Sequence, residues 1–141
     1  MVPARKISAW VECVPKGKGR PRMDTVRGRT YTPKATEQAE AEQAELLRPY
    51  TPSAPLEGAL ACRLIYALPI PASWPKKERA RARLGEVMPT GKPDVDNAGK
   101  LTLDVLTGLG WWKDDAQVVS LVVEKVYAER PGVRVEVWEV R

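Results

Sequence analysis

The sequence contains no histidine, and this absence excludes several catalytic mechanisms at once. A Ser-His-Asp or Cys-His catalytic arrangement and a histidine-ligated zinc site are impossible without an imidazole. Only two cysteines are present, Cys13 and Cys62, and two cysteines so far apart cannot form a four-ligand zinc site within one chain. Catalysis must therefore depend on carboxylates, lysine, tyrosine or a hard cation that carboxylates hold.

Long hydrophobic stretches are missing as well. No run of about 18 apolar residues is available for a transmembrane helix, and residues 1–13 lack the apolar segment of a secretory signal peptide. The two cysteines are too few for a disulfide scaffold and suit small buried side chains on strands. We therefore expect a cytoplasmic protein without membrane contact, folded as a single domain over residues 1–141.

The charge that is present is predominantly positive. A net charge of +5 and an isoelectric point near 9.4 favour an anionic partner. Residues 1–34 carry nine lysines or arginines against two acids. A second basic segment contains Lys76, Lys77, Arg79, Arg81 and Arg83. Because nucleic-acid-binding proteins concentrate positive charge in this way, DNA is the partner that we expect.

Glycine and proline are frequent in residues 15–33, which predicts a basic loop with short strands around 22–32. Glycine allows the backbone to approach phosphates closely. From charge and position, we predict that DNA contacts these side chains: Lys16, Lys18, Arg20, Arg22, Lys76, Lys77 and Arg79. The alternative for both basic segments is a solvated surface that binds nothing.

The hydrophobic pattern predicts an α+β fold, with a mixed or antiparallel sheet and two to three helices. A first strand is expected over 5–14, and an alanine- and glutamate-rich helix over 34–48. Residues 58–70 alternate with a period of two and are apolar on both faces apart from Arg63, which is typical of a central strand. A basic helix is expected to follow Pro75.

The C-terminal part predicts two further strands. Residues 116–128 are rich in valine, and Val133, Val135 and Val137 alternate with larger or polar side chains. Turn residues at 129–132 include a Pro-Gly pair. The sequence therefore predicts that the two strands form an antiparallel hairpin.

Carboxylates are concentrated between residues 91 and 119. Pro93 disfavours helix at the residue before it, so the chain is expected to enter Asp94 and Asp96 in an extended conformation. Side chains two residues apart in an extended segment point the same way, which would place both carboxylates on one side. Asp96 or Asn97 can then cap the helix that follows.

This helix separates into two faces at about 100° per residue. Its apolar face consists of Ala98, Leu101, Thr102, Leu103, Val105, Leu106 and Leu109. Asp96, Asn97, Lys100 and Asp104 share the other face. A spacing of four residues lets neighbouring charges on that face touch. The sequence therefore predicts a helix that is anchored by its apolar face, presents a lysine between two acids and ends near the glycines at 108–110.

A second acidic pair, Asp114 and Asp115, follows the helix and precedes a strand. If the chain folds back along the helix there, Asp115 joins Asp94 and Asp96. Three carboxylates would then hold Mg²⁺, for which Mn²⁺ substitutes, and the metal would activate water and neutralise charge on a phosphate. Lys100 would stabilise the negative charge that develops there. This arrangement predicts a metal-dependent phosphodiester hydrolase.

The acids have two other interpretations. A calcium loop of the EF-hand type is rejected, because Ala98 and Val105 stand where its fifth and twelfth ligands belong. Helix capping by residues 94–97 and a turn at 114–115 would explain the acids without catalysis. The residue pattern alone leaves both this purely structural role and the metal site open.

Residues 92–119, KPDVDNAGKLTLDVLTGLGWWKDDAQVV, resemble the signature of the RusA family of Holliday-junction resolvases, which are bacterial and prophage endonucleases. The shared pattern is K-P-D-x-D-N, then a lysine three residues after the asparagine, an aspartate four residues later, and W-x-D-D-x-Q-V. The flanking segments also follow the family's order: a basic loop, a helix, a strand that leads to P-I-P-x-S-W, and two C-terminal strands.

The resemblance implies a small α+β fold, a homodimer and Mg²⁺-dependent paired incision of four-way DNA junctions. The family's essential carboxylates correspond to Asp94, Asp96 and Asp115, and its essential lysine corresponds to Lys100. Positions that also match, with less defined roles, are Asn97, Asp104 and Asp114. Ala98 departs from the larger aliphatic residue of many relatives, but no catalytic group is lost.

The sequence therefore favours a Mg²⁺-dependent, structure-selective DNA endonuclease that resolves four-way junctions. Symmetric nicking requires two equivalent active sites, which a two-fold homodimer provides. Two alternatives stay open. One is a non-catalytic protein that binds nucleic acid through its basic segments, and the other is a metal-dependent nuclease that prefers flaps or replication forks.

Overall fold

A four-stranded mixed sheet is the framework of the computed structural model, which describes residues 5–140. The strands of this sheet are β1 (Lys6–Glu12), β4 (Leu60–Pro69), β5 (Val118–Ala128) and β6 (Gly132–Glu139), and β2 (Arg22–Asp24) and β3 (Arg29–Tyr31) form a separate hairpin. The helices are α1 (Lys34–Leu47), α2 (Lys76–Arg83) and α3 (Val95–Leu109). The α+β class is confirmed, and within the described residues no helix is long and apolar enough to cross a membrane.

The strand order in the sheet is β1-β6-β4-β5. β6 is antiparallel to both β1 and β4, whereas β5 is parallel to β4. The two C-terminal strands therefore exist where the sequence predicts them, but the prediction that they pair as a hairpin is wrong. β4 lies between them and pairs with β6 on one edge and with β5 on the other. Its side chains are largely buried, as expected for a central strand.

The central strand β4 presents alternate side chains to the core, as its period of two predicts. Leu60, Cys62, Leu64 and Tyr66 are buried, and the valines of β6 are fully buried beside them. Arg63 is exposed and pairs with Glu124 of β5. Burial raises the pKa of the Cys62 thiol to about 12, so this cysteine is a protonated core residue, in line with the sequence-based prediction.

Helix α3 is fixed to the sheet by a buried polar network. The Tyr66 hydroxyl lies 2.8 Å from the Ala98 carbonyl oxygen and 2.6 Å from the Thr102 hydroxyl oxygen. Thr102 in turn donates a hydrogen bond to the Gln43 side chain of α1, at 2.9 Å. Around this network the apolar face of α3 is buried, as predicted from its periodicity, with Leu101 and Leu106 fully buried. One network therefore joins β4, α3 and α1.

The ends of the helices follow the sequence closely. α1 ends one residue before its predicted limit, where Arg48-Pro49-Tyr50 form a short 3₁₀ helix. α2 begins directly after Pro75, as predicted. α3 ends at Gly110, whose φ of +83° is the left-handed conformation that glycine adopts without a steric penalty. The predicted glycine-rich C-terminal boundary of α3 is therefore confirmed.

We expect the two hydroxyl groups of the buried network to differ in their contribution to stability. Tyr66→Phe leaves Thr102 bonded to Gln43, so the free energy of unfolding should fall by about 1 kcal/mol. Thr102→Val deprives the buried Gln43 carbonyl oxygen of its donor, so we expect a loss of about 2–3 kcal/mol. Urea unfolding followed by circular dichroism measures both values. A larger loss for Tyr66→Phe than for Thr102→Val would contradict this ranking.

Candidate functional site at the start of helix α3

The acidic segment enters helix α3 two or three residues earlier than its sequence predicts. Asp94 is the N-cap residue, with φ −69° and ψ 147°, and the helix begins at Val95. Asp96 and Asn97 are therefore first-turn residues rather than caps, and the prediction of an extended Asp94–Asp96 segment is wrong. Proline disfavours helix at the residue before it but not at the residues after it, so a helix can start directly after Asp94. The Asp94 side chain makes no capping hydrogen bond and pairs instead with Lys92 at 3.1 Å.

Both carboxylates of this segment are accessible to solvent. The Asp94 side chain is 47% exposed, and Asp96 is exposed on the polar face of α3. Lys100, one turn further along, is also exposed. The predicted separation of α3 into an anchored face and a charged face is therefore confirmed. An anion that approaches this end of α3 also meets the positive end of the helix dipole.

Asp104 lies at the centre of a charge network on the same face. It pairs with Lys100 at 3.0 Å, in the predicted spacing of four residues, and with Lys18 of the basic loop at 2.5 Å. Lys18 lies 3.5 Å from Glu40 of α1 as well. Lys100 forms no ion pair with Asp96 within the described residues. Asp104 therefore holds Lys100 from one side and leaves the side towards Asp96 open.

The contacts of this network shift the pKa values of Asp104 and Lys18. Partial burial alone raises the pKa of Asp104, but hydrogen bonds and charges from Lys18 and Lys100 outweigh burial and hold this pKa below its ordinary value. The hydrogen bond to Asp104 raises the pKa of Lys18 above its usual range, against partial desolvation that lowers it. Both side chains are therefore charged at neutral pH.

The basic loop packs directly on the start of α3. Its backbone amide at Lys18 donates to the Asn97 carbonyl oxygen at 2.9 Å. A Cβ at Gly17 would lie 3.0 Å from the Asn97 Cβ, which is closer than an ordinary van der Waals contact, so glycine favours this close approach. Sequence reasoning assigned Lys18 to DNA alone and missed this contact. The glycines on either side of Lys18 are the signal that marks it.

The second acidic pair lies in a turn that leads into β5. Asp114 caps a 3₁₀ helix at Asp115–Gln117, where its carboxylate accepts from the Ala116 amide at 2.9 Å. The Gln117 side chain completes a capping box. The turn that was considered as a structural explanation for Asp114 is therefore present. Asp115 is the first residue of this 3₁₀ helix, does not cap it, and is half-buried.

Asp115 does not join Asp94 and Asp96 within one chain. A Cβ at Gly99 would lie 3.2 Å from Val123, and the Lys125 ammonium donates to the Gly91 carbonyl oxygen at 2.8 Å. The start of α3 is therefore beside the second half of β5, whereas Asp115 precedes the first residue of β5. Fifteen helical residues separate the two ends by roughly 20 Å.

Within the part of the single chain that the structure describes, the acids do not form a cluster that could hold a metal ion. Among residues 5–140, no three acids or cysteines lie close enough together to hold a metal ion. The convergence predicted from sequence is wrong for one chain, because the segment that carries Asp115 precedes β5, and it is β5 that runs back along α3. Asp94 and Asp96 remain neighbouring hard oxygen donors of the type that Mg²⁺ prefers.

The basic side chains divide into engaged and accessible groups. Lys16, Arg20 and Arg22 are exposed around a cavity of about 840 Å³ between the basic loop and α1. Lys76 and Lys77 are exposed at the start of α2, and neither forms an ion pair within residues 5–140. Partly buried are Lys18, in the Asp104 network, and Arg79, whose Nε is buried without a partner. The remaining arginines of α2, Arg81 and Arg83, pair with glutamates.

Comparison with known proteins adds a further set of findings. The sequence model of a family described as "Endodeoxyribonuclease RusA" matches residues 12–138. "Uncharacterized protein YqaN" of Bacillus subtilis (strain 168) is 35% identical over 130 residues, which cover 89% of this chain and 91% of that protein. "Crossover junction endodeoxyribonuclease rusA" of Lactococcus phage r1t is 39% identical over 51 residues, 36% of this chain and 39% of that protein.

We expect the Asp104 network to stabilise the protein in a pH-dependent manner. A carboxyl group whose folded-state pKa is depressed contributes stability above its ordinary pKa of about 4, and this contribution is lost as the pH falls through the folded-state value. Asp104→Asn should therefore lower the free energy of unfolding at neutral pH by about 1–2 kcal/mol, and the difference from wild type should vanish in acid.

Urea unfolding at neutral and acidic pH measures this difference. The matched control is Glu45→Gln, which removes an ion pair of similar length, with Arg48 at 2.7 Å, from a more exposed site. A change near zero is expected for the control, because exposed pairs contribute little. Equal losses in the two variants, or a loss for Asp104→Asn that persists in acid, would contradict the assignment.

Proposed function

This chain belongs to the RusA family of endodeoxyribonucleases, and from that premise we propose that it resolves four-way DNA junctions by paired, symmetric nicks. The observation that carries the proposal is the exposed Asp94, Asp96 and Lys100 on a helix whose opposite face is locked into the core. Accessible carboxylates on a rigid support are what a phosphodiester hydrolase requires. The name of the phage relative, a crossover junction endodeoxyribonuclease, supports the substrate class.

We further propose that Asp94 and Asp96 hold Mg²⁺, for which Mn²⁺ substitutes, together with Asp115. Their carboxylate oxygens match the ligand chemistry of this ion. When bound, the metal would lower the pKa of a water molecule and neutralise charge on the phosphoryl oxygens.

The remaining side chains of the site have roles that need no metal. Lys100 offers a fixed positive charge to a phosphate that approaches the start of α3. Asp104 limits the rotation of Lys100 through the 3.0 Å contact, and Lys18 prevents Asp104 from carrying an uncompensated charge. The exposed basic residues Lys16, Arg20, Arg22, Lys76 and Lys77 would contact the phosphates of the DNA arms, where each neutralised phosphate adds affinity.

A homodimer supplies the missing third carboxylate. β5 is an edge strand of 11 residues, and its first half exposes apolar side chains, with Val119 at 64% and Val122 at 47%. A long apolar edge is normally covered by another chain or element. We propose that the β5 strands of two protomers pair across a two-fold axis.

Antiparallel pairing of β5 with its copy has a direct consequence for the site. The start of one strand then lies beside the end of the other. Asp115 precedes the start of β5, and the segment before Asp94 is bonded to Lys125 near its end. Such a dimer would bring Asp115 of each protomer towards Asp94 and Asp96 of the other, and would create two equivalent sites, as paired nicking requires.

The first test is cleavage of a synthetic four-way junction. We expect cleavage with Mg²⁺ and none in EDTA, and Asp94→Asn should abolish cleavage while junction affinity stays near the wild-type value. Glu45→Gln is the control for an acid remote from the site. Undiminished cleavage by Asp94→Asn would exclude the proposed site, and binding without cleavage by wild type would favour a non-catalytic DNA-binding protein.

The preferred substrate requires a comparison within the same assay. Initial rates on a four-way junction, a flap, a replication fork and a linear duplex separate the proposed resolvase from a nuclease of different structural preference. Faster cleavage of flaps or forks than of junctions would replace the junction as the substrate, while the proposed site residues would stand.

The second test is complementation between inactive variants. If each site combines residues from two protomers, a mixed dimer of Asp94→Asn and Asp115→Asn contains one doubly altered site and one intact site. Refolding an equimolar mixture should therefore restore roughly a quarter of the wild-type sites, because half of the dimers are mixed and each has one working site. The product should be single nicks rather than paired ones.

The matched control for complementation is a mixture of Asp94→Asn and Asp96→Asn. These two residues belong to the same protomer's share of the site, so every site in the mixed dimer carries one change and no activity should return. Recovery in the control mixture, or none in the test mixture, would contradict a site shared between protomers.

A further inference from the structure

A preformed cavity of about 590 Å³ opens beside Asp94. Its walls come from four separate parts of the chain and are mainly apolar, with Pro15, Leu68, Pro69, Pro89, Pro93 and Tyr127 among the lining residues. Leu68 and Tyr127 are direct neighbours on paired strands and face the same side of the sheet. The volume lies within the range of roughly 300–1,000 Å³ that is usual for small-molecule sites.

Three interactions keep this cavity open and its walls in place. The Lys125 side chain binds the Gly91 carbonyl oxygen at 2.8 Å. The Lys18 amide binds the Asn97 carbonyl oxygen at 2.9 Å, which fixes the opposite wall. The Tyr127 ring is held by the edge of Trp74, with 5.3 Å between ring centroids. Because the walls of this site are already ordered, little conformational entropy is lost when a ligand binds.

The polar groups at the rim of the cavity indicate the kind of ligand. Lys16 and Lys92 are exposed there and are complementary to phosphate groups, and Lys92 also pairs with Asp94 at 3.1 Å. Within the described residues, the Asn97 side-chain amide has no protein hydrogen-bond partner, so it is free to bind the donor and acceptor edge of a ligand. Flat apolar walls, an unpaired amide and a cationic rim together suit a nucleobase that is still attached to its sugar-phosphate strand.

We propose that this cavity binds one unpaired nucleobase of the strand whose phosphate lies at Asp94. The proposal rests on the nuclease function proposed above and specifies how its substrate is selected. The base stacks against the proline rings and Tyr127, and the Asn97 amide contacts its edge. The neighbouring phosphates lie at Lys16 and Lys92.

Selection of branched DNA follows from this occupant. A base can enter the cavity only after it has lost its stacking and base-pairing interactions. In a linear duplex, the whole free-energy cost of this loss opposes binding. At a branch point, part of the stacking is already lost, so a base enters at lower cost. Because stacking is weaker at a junction, the protein should bind a junction more tightly than a duplex, with the unpaired base next to Asp94.

Fluorescence of 2-aminopurine, placed in turn at each base around the exchange point of a synthetic four-way junction, tests the proposal. Binding in EDTA prevents cleavage. We expect a change of several-fold in fluorescence at one position when wild-type protein binds, because 2-aminopurine responds to loss of stacking. The same probe inside a linear duplex should respond much less.

Gly91→Leu provides the specific variant. Gly91 lines the cavity, and a Cβ built there meets no atom within 4 Å, so a side chain can be introduced at this position without a clash at its Cβ. This variant should abolish the fluorescence change and bring junction affinity closer to duplex affinity. Gly108→Leu is the matched control, because Gly108 lies near the far end of α3 and a Cβ there also meets nothing within 4 Å. The control should behave as wild type.

Tyr127→Leu removes the aromatic wall and should weaken junction binding by about tenfold, since one base–aromatic stack contributes that order of affinity. Tyr50→Leu, at an exposed tyrosine outside the cavity, is its control and should bind as wild type. Equal behaviour of Tyr127→Leu and Tyr50→Leu would contradict stacking in this cavity.

The outcomes separate the two levels of the proposal. A protein that cleaves junctions but shows no fluorescence change at any position, or one whose change survives Gly91→Leu, overturns the base-binding cavity and leaves the nuclease function intact. A protein that neither binds nor cleaves junctions overturns both. Loss of the change in Gly91→Leu, with retention in Gly108→Leu, supports the cavity.

Discussion

The hydroxyl group of Tyr66 is the contact on which the arrangement of the site depends. It reaches from the central strand to the Ala98 carbonyl oxygen and the Thr102 hydroxyl of α3, at the first and second turns of that helix. The Gln43 side chain extends the same network to α1. Because a buried polar group without a partner is costly, α3 has one favourable position on the sheet. That position determines where Asp94, Asp96 and Lys100 are presented.

Local sequence patterns predicted the positions of the helices and strands well, but they did not predict how distant strands pair. The period of α3, its glycine C-cap and the alternation of β4 each depend on neighbouring residues, so the sequence suffices for them. The Pro-Gly turn at 131–132 is equally compatible with a hairpin and with a link that crosses over the end of β4. The outcome depends on whether β6 pairs with β5 or with β4. The residues of the turn do not indicate which of these pairings forms.

The candidate site shows the same division. The exposed face of α3 was predicted residue by residue, including the Lys100–Asp104 pair. The path after Gly110 was not predicted. Residues 111–115 could fold back along α3, or they could remain at its C-terminal end until β5 begins. The contact of Lys18 with Asp104 is a meeting of residues 86 positions apart, and charge alone suggested an external partner for Lys18. In this molecule, part of the basic excess supports the protein itself.

The position of β6 also limits the order in which the sheet can form. β6 lies between β1 and the central strand β4, with Lys6 paired to Trp138 and Leu64 paired to Val135. β1 therefore has no edge to join until β6 has paired with β4. Helices and their local contacts can form before this step, whereas the pairing of β1 with β6 joins strands that are far apart in sequence. The basic loop that follows β1 can therefore be positioned against α3 only late in folding.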